Sequence, residues 1–83
     1  MIEKSVELTP MKAAALAQWA VVLRDETALL AAPGAQHKKL LRQAHALHQE
    51  GVIDQNDLSD LLEQADGALA YAVEALFDSQ PGE

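Results

Sequence analysis

From Met11 onward the apolar residues recur at intervals of three and four, the spacing of one face of a helix. Met11, Ala15, Leu16, Trp19, Val22, Leu23, Leu29 and Leu30 share one wide face, which predicts a first helix over 10–31. Thr9 is a good N-cap for it, and Pro10 at the first helical position gives up no hydrogen bond. Ala32-Pro33-Gly34 is expected to end it, because Pro disfavours helical geometry in the residue before it and Gly permits a sharp turn. In a second helix, 36–50, Leu40, Leu41, Ala44 and Leu47 form one stripe, and Gly51 is the C-terminal stop. Lys38, Lys39, Arg42, Gln43 and Gln49 take its opposite side. The third helix, 54–77, is the most regular. Asp54 caps it, Asp57 and Asp60 sit near the positive end of its dipole, and Leu58, Leu61, Leu62, Ala65, Leu69, Ala72, Val73 and Leu76 hold the period.

Short connections between consecutive helices favour antiparallel neighbours. The expected fold is therefore all-α, a small antiparallel three-helix bundle forming a single domain over 1–83. Residues 1–8 make an N-terminal arm, where Ile2, Val6 and Leu8 are the apolar positions, and 79–83 a flexible tail. The pattern also fits a dimer whose core is shared between chains. Composition bears on that choice. The hydrophobic residues, 49% of the chain, are mostly Ala and Leu, with Trp19, Tyr71 and Phe77 as the aromatics, so the core buries little area per residue. At this length one core supplies only about 3–5 kcal/mol. With no cysteine there is no disulfide to help, and no ligand cluster has zinc spacing. Association with another chain is the remaining reinforcement, and dimerisation would complete the bundle.

The net charge of −7 is unevenly placed. Through Gln49 six basic residues face four acids, a local balance of +2, whereas from Glu50 onward nine acids and no Lys or Arg give −9. An acidic C-terminal third repels phosphate backbones, so no direct nucleic-acid partner is expected. No segment has the length of a membrane span. The apolar run 13–23 imitates a secretory signal, but it starts well inside the chain and runs directly into Arg24-Asp25-Glu26. It reads as a buried helix of a cytoplasmic protein.

The first helix is apolar almost all round. Its back carries Ala13, Ala14, Ala17, Val21 and Ala28, with Gln18, Arg24 and Asp25 as polar relief. A helix of this kind is usually covered on several sides, which makes that back a candidate interface. The outer face of the third helix adds Gly67, Ala70, Tyr71 and Glu74, where a mid-helix Gly suggests a notch for a partner's side chain. Glu26 lies within the apolar face of the first helix, and His37 and His48 within that of the second. A lone buried carboxylate is costly. Antiparallel packing would bring the end of the first helix to the start of the second, so Glu26 and His37 are expected to form a buried polar pair.

No constellation points to catalysis. There is no cysteine nucleophile and no Gly-rich phosphate loop, and Ser, His and acid occur in no catalytic arrangement. His45 and His48 stand at i, i+3 without a second ligand cluster, so no metal or other cofactor is expected. Asp54-Gln55-Asn56-Asp57 resembles the opening of an EF-hand calcium loop, yet Leu58 stands where a ligand is needed and Ser59 where a Gly is. Small acidic helical chains also resemble acyl carrier proteins. Those carry their prosthetic group on Ser in Asp-Ser-Leu at a helix start, whereas the order here is Asp57-Leu58-Ser59-Asp60. The junction from Leu47 through Gly51 and Val52-Ile53 to Asp54 resembles that of short bacterial helical-hairpin modules, which implies a hairpin and no activity. The sequence thus points to a non-catalytic protein–protein interaction or regulatory module that associates with itself through the first helix. Its alternative is an acidic inhibitor of the immunity, antitoxin or phage-encoded anti-host type, acting on a basic target.

Overall fold

Asp25 interrupts what the apolar pattern presents as one helix. In an unbroken helix the Val22 carbonyl would accept from the amide four residues on. Here it accepts from the Asp25 amide at 3.2 Å and from Gln36 Nε2 at 3.0 Å. The Asp25 carboxylate meanwhile takes the Ala28 amide at 3.1 Å and caps a new helix. Short polar side chains compete with the helical ladder in this way, and Asp25 wins because Gln36 compensates the carbonyl it releases.

The computed structural model describes residues 10–78, which form α1 (Pro10–Leu23), α2 (Glu26–Ala31), α3 (Pro33–Gln49) and α4 (Gln55–Asp78), with no strand among them. Four helices thus replace the three expected. The Thr9 cap, the arm 1–8 and the tail 79–83 lie outside the described residues. The helix expected second, over 36–50, is α3 and begins earlier: Pro33 occupies its first turn, and Ala32 alone separates it from α2. A proline that stops one helix has the φ angle to start the next.

The α3–α4 junction follows the chemistry the sequence suggests. Gly51 adopts φ 79°. Its amide donates to the His48 carbonyl and the Val52 amide to the Leu47 carbonyl, both at 3.0 Å, closing α3 in a Schellman motif. Asp54 Oδ1 then accepts from the Asp57 amide at 2.9 Å, while Asp57 Oδ2 accepts from the Asp54 amide at 3.1 Å. This reciprocal box satisfies two donors at the start of α4.

The core joins Trp19 of α1, Leu40 and Ala44 of α3, Ile53 of the junction, and Leu58, Leu61 and Ala65 of α4. Leu16, Val22, Leu23, Leu41, Leu47, Val52 and Leu62 pack around it. Two buried polar groups set the register of α1 on α3. Trp19 Nε1 donates to the Leu40 carbonyl at 3.0 Å, and Gln36 reaches the Val22 carbonyl, so the two helices run in opposite directions. Lys12 pairs with Asp57 at 2.8 Å, tying the start of α1 to the start of α4. Leu29 and Ala72 are buried further along, where α2 lies against α4.

Beyond Ala72 the helical period of α4 continues, but its large apolar side chains become exposed. Val73 and Leu76, expected to face the core, are 46% and 38% exposed, and Phe77 is 71% exposed. The pattern is that of a buried face, but α4 at 24 residues outruns the 17-residue α3 beside it.

Candidate interaction surfaces

The break at Asp25 changes the surroundings of Glu26. As the first residue of α2 it is exposed, and its Oε2 accepts a hydrogen bond of 2.5 Å from the Tyr71 hydroxyl of α4. His37 is half-buried on α3 and its Nε2 meets Asp66 Oδ1 of α4 at 2.8 Å. The expected Glu26–His37 pair is thus replaced by two polar links, each from one of these residues to α4. The reason is directional: α4 lies against both α2 and α3, and Asp66 and Tyr71 stand at successive turns of it. An anionic acceptor makes the Tyr71 bond short, and it holds the phenol above its ordinary 10.0, first through the hydrogen bond and then through repulsion of a second negative charge. The Asp57 carboxyl is held below its ordinary 3.8, first by the Lys12 ammonium and then by the backbone amide of Asp54.

The remaining expected surface residues fall on separate elements. Ala13, Ala14, Ala17 and Val21 are exposed along the outside of α1, Val21 at 69%, and Met11 at the start of the helix is 67% exposed. Ala28 is half-buried in α2, so it belongs with the packing of that helix rather than with an open face. On α4, Gly67, Ala70, Tyr71 and Glu74 are all exposed. A Cβ built on Gly67 meets nothing within 4 Å, so no neighbour within the chain requires glycine there.

A third surface was not evident as a surface from the sequence. The outside of α3 carries a shallow depression of about 480 Å³ lined by Lys38, Leu41, Arg42, His45, Ala46 and Gln49. Leu41 and Ala46 give it an apolar floor, and Lys38 and Arg42, one turn apart, border it. The signal available beforehand was that i, i+4 spacing of cations beside a half-apolar stripe. Among the described residues Lys38, Lys39 and Arg42 have no carboxylate within ion-pair distance.

Among the described residues no three His, Cys, Asp or Glu side chains are placed to hold a metal ion. Among them, too, no helix is long and apolar enough to cross a membrane. Comparison of the chain with protein families, curated proteins and solved structures finds no match. Its function is therefore argued from these surfaces.

Proposed function

We propose that the protein is a non-catalytic protein-interaction module of the cytoplasm that associates with copies of itself. The observation carrying this reading is the set of large apolar side chains left open on a very small fold: Met11, Val21, Tyr71, Val73, Leu76 and Phe77. Exposed large apolar side chains bordered by charge, as Val73, Leu76 and Phe77 are by Glu74 and Asp78, are common at contact surfaces, and a core of Ala and Leu gains from a second chain. Its outer α1 face and the outer half of α4 are the surfaces involved, and the work is done by contact rather than by bond chemistry. Light scattering across protein concentration tests the reading: a mass of two chains is expected, and one chain at every concentration overturns self-association.

A second reading has its own support. The outer side of α4 presents Asp60, Glu63, Asp66, Glu74 and Asp78, with no Lys or Arg after Arg42. An inhibitor that captures a basic target would use this face and would be monomeric alone. A monomer that binds basic proteins in a salt-dependent manner would favour it.

A further inference from the structure

We propose that two copies of this chain pair across the open groove between α1 and α3, each of these helices lying antiparallel to its own counterpart in the partner. This rests on the reading that the protein self-associates, and it names the face that does so. The groove, of about 310 Å³, contains no residue of α4. Ala15 and Gln18 of α1 wall one side, Gln43, Ala46 and Glu50 of α3 the other, and the buried Trp19 lies beneath. Met11 and Ala14 of α1 and Lys39 of α3 are exposed along its rims.

Lys39, Gln43, Ala46 and Glu50 recur at helical spacing and share one face of α3. Its two ends carry opposite charges, about 16 Å apart along the axis. Neither Lys39 nor Glu50 is in an ion pair among the described residues. A stripe cationic at one end and anionic at the other is complementary to its own reversed copy. A two-fold axis passing α3 between Ala44 and His45 sets Lys39 against the partner's Glu50, Glu50 against the partner's Lys39, and Gln43 against the partner's Ala46. The bonds from Trp19 to the Leu40 carbonyl and from Gln36 to the Val22 carbonyl fix the level of α1 on α3. The same axis therefore passes α1 between Ala14 and Ala15. Ala14 then faces the partner's Ala15, where methyl side chains let the backbones approach, and Met11 faces the partner's Gln18. Every contact is made twice about the axis, so the assembly closes at two chains. Charge opposes the other faces: paired α4 ends would set acid against acid, and paired α3 depressions would set Lys38 and Arg42 against each other.

Two charge-reversed forms of the full chain, Lys39→Glu and Glu50→Lys, test this by sedimentation equilibrium, with circular dichroism to verify that each stays helical. The wild type is expected to be a dimer. Each variant alone should dissociate at least about ten-fold more readily, as like charges then face each other at both ends of the α3 stripe. Mixed in equal amounts, the two should restore a dimer of one chain of each, because opposite charges then meet at both ends. Lys38→Glu makes the same change of charge one residue off the groove and should leave the dimer intact. The chain has no cysteine, so Ala14→Cys places a single thiol beside the axis. A short bismaleimide should link two such chains, whereas Gly67→Cys on α4 should stay unlinked. A wild-type dimer indifferent to both reversals and unlinked through Ala14→Cys would leave self-association standing through another face and overturn this pairing. A mixture that stays monomeric also overturns it. A wild-type monomer overturns self-association and the pairing together.

Discussion

Trp19 is 3% exposed, and its indole N–H spends its hydrogen bond on the Leu40 carbonyl of a facing helix. Trp19→Phe keeps most of the apolar area and leaves that carbonyl without this donor, so it should lower unfolding stability by about 1 kcal/mol in urea titration. An unchanged midpoint would show that the bond contributes nothing net. Tyr71 offers a cleaner reading because it is the chain's one tyrosine. Its phenol is neutral while it donates to Glu26, so ionisation must break the bond and set two anions together. The raised folded value means the link's contribution is fully present below the ordinary 10.0 and is lost as pH rises through the folded pKa. Absorbance titration of tyrosinate should place Tyr71 above 10.0, and Glu26→Gln should bring it back toward that value; identical curves would contradict the link. Asp57 has the opposite sign. Its contribution is present above the ordinary 3.8 and is lost as pH falls through the depressed folded value, and Lys12→Gln should raise its pKa in an NMR titration. At this scale the sequence reveals what is local. The Asp54 cap and the Gly51 stop are legible because their partners lie within a few residues. The partners of Glu26 and His37 are not, because Tyr71 and Asp66 come close to them only once α4 has folded back along the molecule.

The helices themselves follow from period and punctuation, and their errors have one source. The apolar stripe resumes in phase at Leu29 and Leu30 after the polar residues 24–27, so periodicity alone draws a single helix over 10–31. Asp25 followed by Glu26 was the available break signal, an N-cap residue with an acid at the helix start, and it prevails because Gln36 reaches the freed Val22 carbonyl. Asp25→Ala should cost about 1 kcal/mol and speed amide exchange at Ala28, as the cap is lost. Unaltered exchange at that amide would assign the break to packing. Gly67 makes the converse case. It lies inside α4 in open space, so Gly67→Ala should stabilise the chain by up to about 1 kcal/mol in thermal or urea unfolding. A loss of stability in the isolated chain would show a close approach that the chain does not show, and would return Gly67 to the role of a notch.

Across the whole molecule, apolar surface is left over at α1 and at the end of α4, and opposite charges sit on α3 and α4. The all-helical class was readable from a palette of Ala and Leu at helical spacing. Where the core stops was not, since Val73 and Leu76 obey the same period as Leu58 and Ala65 yet are exposed where those are buried. That exposed apolar surface is what a second copy would cover. The central claim is that this chain works by associating with another copy of itself. Light scattering of the wild-type chain over a wide concentration range at low ionic strength tests it most directly. A mass of two chains that holds on dilution is expected. A mass of one chain at every concentration would contradict it.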